Sequence, residues 1–119
     1  LSGGAGHDRF ELVADAPLTP QAIDVIGDWE SGDSLHFAAV SVAGVPAAQY
    51  SELMADSFDH ALAAATQQIA SAGAAYVAVQ VGSNVWVFAD TDGVAGNGPD
   101  AAVLLVGRSL ADIGAGNFV

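Results

Sequence analysis

Two hydrophobic rhythms alternate along the chain. Near its start, Arg9-Phe10-Glu11-Leu12-Val13 alternates polar and apolar residues, which predicts a short strand with one buried face, and the glycines before it make residues 1–14 a turn followed by that strand. ADAPLTPQ, residues 15–22, carries two prolines and reads as a linker. In AIDVIGDWESGDSLHF, Ile23, Val25, Ile26, Trp29, Leu35 and Phe37 are interleaved with Asp24, Asp28 and Asp33. Core residues and carboxylates alternating in this way predict strands within 23–37 joined by a turn at Ser31-Gly32.

From Pro46 the period lengthens. Tyr50, Leu53, Met54, Phe58, Ala61, Leu62, Ala65, Ile69 and Ala72 follow helical spacing, Pro46 suits a first turn and Gly73 a C-terminal cap, so the pattern predicts an amphipathic helix over 46–72. Beyond it, AAYVAVQV, NVWVFAD and AAVLLVG are rich in β-branched and aromatic residues, and Gly82-Ser83 between the first two predicts a hairpin. The apolar tail LADIGAGNFV is expected to add a last strand or to dock on the sheet.

Composition narrows what such a chain does. Its 119 residues suffice for one domain with a real core. Fourteen acidic residues face only Arg9 and Arg108, lysine is absent, and the formal net charge is −12. Nucleic acids and anionic membrane surfaces reward clustered Lys and Arg, so neither is expected as a partner. An apolar fraction of 52% and nine aromatic residues separate the chain from disordered acidic segments. A cation is the economical neutraliser of this charge. Absence of cysteine excludes disulfides, zinc-thiolate sites and thiol chemistry. No apolar run is long enough for a membrane span, and no basic-then-apolar leader opens the chain.

The chemistry concentrates in the opening LSGGAGHDRFE. Gly3, Gly4, Gly6, Asp8 and Phe10 stand in the order G-G-x-G-x-D-x-U, where U is a large apolar residue. The glycines permit turn conformations that aim backbone carbonyls inward, and Asp8 adds a carboxylate. Oxygen-only ligation suits Ca²⁺ and does not suit zinc or copper. This nonapeptide resembles the calcium-binding repeat of the RTX, or hemolysin-type calcium-binding, proteins exported by type I secretion.

The resemblance extends to both ends of the chain. Asp24-Val25-Ile26-Gly27-Asp28-Trp29-Glu30-Ser31-Gly32-Asp33-Ser34-Leu35-His36-Phe37 is similar to the family pattern D-x-I-x-D-F-x-x-G-D-x-I-x-L that follows the last repeat, with Trp29 in place of Phe. VWVFADTDG with DAAVLLVG resembles the family's terminal hairpin, and Asp112-Ile113 with Asn117-Phe118-Val119 resembles its tail, which ends D-F-x-L. The helix matches only a subset of such domains.

Together with the helix read from the period (46–72), the resemblance implies a mainly β fold in a single domain: the end of a parallel β-roll (1–14) capped by a small β-sheet or sandwich, with capping strands (23–37) and a terminal hairpin and tail (75–119). It implies Ca²⁺ as the bound ion, with Gly4, Gly6, Asp8, Asp24, Asp28, Asp33, Asp90, Asp92 and Asp100 as candidate ligands. Asp24 and Asp33 are the leading ones. In Asp90-Thr91-Asp92-Gly93, acids at positions one and three of a glycine turn begin a calcium loop, but position five is Val94, and a plain solvated turn stays open. Because each ion in such a coil is held between consecutive turns, and Leu1-Ser2 reads as the end of a preceding unit, further repeats are expected upstream.

Other polar groups carry less. Asp15 and Glu30 read as surface charge, and Glu52, Asp56, Asp59 and His60 as the solvated face of the helix. His7 and His36 have no catalytic partner, and no serine sits in a nucleophile-elbow context. The expectation is a non-enzymatic, calcium-dependent C-terminal module, extracellular or at the cell surface. Its partners would be Ca²⁺, upstream repeats of its own chain and a type I secretion apparatus of the Gram-negative kind. Two alternatives are the ancillary domain of a secreted hydrolase and a calcium-assembled surface-layer or adhesin domain.

Overall fold

The computed structural model describes residues 4–12, 23–37, 50–72, 75–90, 99 and 101–118. The described elements are strands β1 (Arg9–Leu12), β2 (Asp24–Ile26), β3 (Ser34–Phe37) and β4 (Tyr50–Ala55), helix α1 (Phe58–Ala72), strands β5 (Tyr76–Val81), β6 (Asn84–Ala89) and β7 (Ala101–Leu105), and two short 3₁₀ turns at Leu110–Asp112 and Ala115–Asn117. The fold is mainly β with one helix.

Strands β2-β7-β6-β5-β4 form a five-stranded mixed sheet, and β1 and β3 form a separate parallel pair. In the large sheet β5-β6-β7 is an antiparallel meander, flanked by parallel pairings of β2 with β7 and of β4 with β5. The β5–β6 hairpin closes at Val81↔Asn84, with Gly82 at φ +60, the left-handed region that a two-residue hairpin turn places at its first position.

The sheet is covered on both faces, which explains the unbroken apolar runs of its central strands. On one side Phe10, Leu12, Leu35 and Phe37 of the parallel pair pack with Tyr76, Val87 and Val103. On the other, Ala61, Ala65 and Ile69 of α1 meet Val77, Val79 and Phe88. Successive positions of β5 and β6 thus serve two cores, and each fully buried large side chain contributes about 1.5–3 kcal/mol. Alanines at four-residue spacing let the helix lie close to the strands, while Phe58 meets Trp86 edge-on at a ring-centroid distance of 4.7 Å.

The expected helix changes in extent, and the expectations for 23–37 and for the tail become more specific. The helix begins at Phe58, not Pro46: Tyr50–Ala55 is a strand, and 46–49 lie outside the described residues. The Ser57 hydroxyl accepts the His60 N–H at 3.2 Å and its carbonyl the Ala61 N–H at 2.9 Å, the arrangement of an N-cap. Ahead of that cap, Tyr50–Ala55 gains a full parallel ladder on β5, from Tyr50↔Tyr76 to Ala55↔Val81, which a helix would forfeit. Glu52 and Asp56 therefore do not belong to a helix face. Strands β2 and β3, though joined by the expected turn at Ser31-Gly32, enter different sheets, because Ile26 pairs with Leu105 and Leu35 with Phe10. The tail docks through its 3₁₀ turns and a single parallel bridge of Phe118 to Leu35.

Candidate functional site

The glycine turn 4–8 and the loop 28–34 lie against each other. Gly4 (φ +80) and Gly6 (φ +102) occupy backbone conformations that side-chain-bearing residues rarely adopt, with nothing within 4 Å of where a Cβ would stand. Their glycine is required by conformation, not by space. The turn exposes N–H groups, and the facing carboxylates take them up. Gly4 N–H donates to Asp28 Oδ2 at 2.8 Å, and Asp8 N–H donates to Asp33 Oδ1 at 2.9 Å. The second Asp33 oxygen accepts the Glu30 N–H at 2.9 Å, closing its own loop.

Asp33 is 2% exposed, and among the described residues it is the one buried polar or charged side chain. A buried carboxylate costs several kcal/mol in desolvation unless it is hydrogen-bonded, and the two amides meet that requirement. Ser34 N–H then donates to the Asp8 carbonyl at 2.8 Å, and the ladder of β1 with β3 runs on as Arg9↔Ser34 to Leu12↔Phe37. At Gly32 a Cβ would stand 2.5 Å from the His7 ring, so glycine there permits the close approach of turn and loop.

Of the other acids, Asp8 holds Oδ2 buried, without a hydrogen-bond partner among the described residues. Asp24 is the first residue of β2, level with Val103. Asp90 follows β6, its N–H donating to the Ala75 carbonyl at 2.8 Å, while Asp92 and Asp100 lie outside the described residues. The structure thus brings Asp8, Asp28, Asp33, Gly4 and Gly6 to one turn-and-loop junction and places Asp24 and Asp90 on other elements. Among the described residues no group of three or more His, Asp or Glu is arranged to hold a metal. Asp33 accepts one N–H at each of its carboxylate oxygens, each of which offers two lone pairs.

Asn117, Trp29 and Arg108 complete the junction through hydrogen bonds that sequence reasoning did not assign to them. Asn117 Nδ2 donates to the carbonyls of Ser31 (2.9 Å) and Asp33 (2.8 Å), and its Oδ1 accepts Gly114 N–H at 2.8 Å. The Trp29 indole N–H donates to the Asp112 carbonyl at 2.9 Å, and Arg108 Nε donates to the Trp29 carbonyl. The available signal was Asn117 beside Phe118, a two-sided amide next to an aromatic anchor; the partners 84 and 86 positions away were not legible.

Near the helix start, Asp56 accepts from His60 Nδ1 across one turn, and that hydrogen bond holds the exposed Asp56 carboxyl below its ordinary range. Burial pushes the Tyr50 hydroxyl well above the usual tyrosine value, with the hydrogen bond to Glu52 (2.9 Å) and its charge adding to the rise; burial also raises Tyr76. Among the described residues no helix is long and apolar enough to cross a membrane. Comparisons with protein-family models, with curated protein sequences and with solved structures gave no match to this chain.

Proposed function

We propose that this domain is a non-catalytic, calcium-dependent module that caps a parallel β-roll of the RTX kind at the C-terminal end of a secreted protein and carries the type I export signal. The observation that carries the reading is the β1–β3 pair: a parallel rung headed by a left-handed glycine turn whose amides are met by Asp28 and Asp33. Phe10 beside Leu35 and Leu12 beside Phe37, all buried in one core, support that reading, since a coil stacks apolar residues from one rung to the next. Among the described residues the outer edge of β1 pairs with no strand, so a preceding coil would add there and supply the facing half of each ion site.

Calcium modules of extracellular proteins work at Kd of ~0.1–1 mM. At ~1 mM external Ca²⁺ each site then stabilises the fold by about 0.4–1.4 kcal/mol, and in a cytosol with far less free calcium that contribution vanishes. The chain would stay loose for export and fold outside. Calorimetric titration with Ca²⁺ in chelator-treated buffer, with circular dichroism in parallel and Mg²⁺ as control, tests the reading. Saturable binding that Mg²⁺ does not reproduce, with gain of thermal stability, is the expected result. A flat titration of an already folded chain overturns it for this domain.

A further inference from the structure

The tail is bonded to the same loop that holds the glycine turn. Asn117 clamps the carbonyls of Ser31 and Asp33, and Phe118, 2% exposed, stacks on Tyr76 at a centroid distance of 4.2 Å and bridges Leu35. On the far side of that loop, the Asp33 carboxylate holds the amides of Asp8 and Glu30. Asp33 therefore faces both ways, main-chain oxygen to the tail and side-chain Oδ1 to the turn, while Oδ2 closes its own loop on Glu30. Trp29, fully buried, is tied to Asp112 and Arg108 and fixes the other end of the loop.

We infer that the tail is a conformational latch: docking of Asn117 and Phe118 orders the loop 28–34 and, through Asp33, the glycine turn ahead of β1. The turn itself is exposed from Gly4 to His7 and has little apolar contact to order it. Its local order is drawn from Asp28, Asp33 and the Ser34–Asp8 rung, all on the latched loop. By linkage the coupling is reciprocal, so disorder of the turn loosens the tail by the same factor. The latch rests on hydrogen bonds within the chain and needs no bound ion.

Native-state amide exchange on the full chain, in one buffer containing CaCl₂ throughout so that ion binding is constant, tests this. In the unmodified protein at low denaturant, the amides of Asp8, Glu30, Gly114 and Phe118 are expected to open as one unit, below the opening free energy of β5 and β6. Asn117→Ala is expected to speed exchange at the Asp8 and Glu30 amides about tenfold. Ala65→Gly, on the opposite face of the sheet, serves as the control of general destabilisation and should not single those amides out. Turn and tail opening with different denaturant dependences, or Asn117→Ala affecting all amides alike, overturns the latch. If Asn117→Ala does not fold, the unmodified protein's exchange pattern decides between the same two outcomes.

Discussion

At the scale of single residues, the junction is governed by one buried anion and one buried indole. The Asp33 carboxylate answers two amides from separate segments, so Asp33→Ala strands both donors in a part-buried place. The expected cost is about 2–3 kcal/mol, with Asp33→Asn nearer 1–2 because one acceptor oxygen survives; urea midpoints measure both. Unchanged midpoints would show that water replaces the carboxylate freely. Trp29 is fully buried, and its Nε1–H satisfies the Asp112 carbonyl, which a phenylalanine cannot do. Trp29→Phe should therefore lose about 1.5–3 kcal/mol, the hydrogen bond and the smaller ring together. The local alternation of acids with apolar residues made Asp33 and Trp29 visible in the sequence. What it could not show was that Asp33 joins two segments through backbone amides, because one of the donors, the Asp8 amide, comes from a turn 25 positions away.

At the scale of elements, helix and strand compete for the segment after Pro46. Tyr50, Leu53 and Met54 match helical spacing, yet Met54 is 78% exposed and Leu53 packs with the helix-side core. A period-two pattern over only six residues is short enough to be read as part of a longer helical one. Only the parallel partner β5, brought round by the helix itself, makes the strand pay. The β5–β6 hairpin was legible because its turn and both strands are local, whereas β1–β3 and β2–β7 are parallel pairings between distant segments and leave no local mark. Ser57→Ala should cost about 0.5–2 kcal/mol and fray the first turn of α1, read as faster exchange of the His60 and Ala61 amides. Tyr50 on β4 and Tyr76 on β5 both sit against Phe118 of the tail, at 5.5 and 4.2 Å between centroids. Their hydroxyls are raised in the folded state, so above the unfolded tyrosine value of about 10 the unfolded chain releases protons that the folded one keeps. Stability is full below that pH and falls as pH rises beyond it. Urea midpoints at about pH 8 and 11 should show the fall, and a Tyr50→Phe/Tyr76→Phe variant should flatten it.

At the scale of the whole molecule, the charge of −12 on 119 residues sets the problem that any binding partner must address. Two cations can be enlisted from the chain itself: Arg9 pairs loosely with Glu11 at 3.6 Å on an exposed strand face, and Arg108 is engaged with the Trp29 and Gly107 carbonyls. An exposed pair of that kind contributes less than about 1 kcal/mol, so the repulsion is left to solvent ions. Two mechanisms then make opposite demands. Diffuse screening acts through ionic strength alone: the Debye length shrinks from about 10 Å at 0.1 M to about 3 Å at 1 M, and NaCl, MgCl₂ and CaCl₂ at equal ionic strength should stabilise alike. Site binding depends on the identity of the ion, because flexible oxygen-rich loops accept Ca²⁺, whereas Mg²⁺ demands octahedral geometry and gives up its water reluctantly. Thermal unfolding at constant ionic strength, with about 5 mM of either divalent ion, separates them. Under the proposed function Ca²⁺ raises Tm by roughly 4 °C for each kcal/mol of binding, Mg²⁺ does not, and Asp28→Asn with Asp33→Asn reduces the calcium increment beyond their own cost in stability. Equal shifts with both ions would assign the acidity of this domain to repulsion relieved by salt and remove calcium from its function.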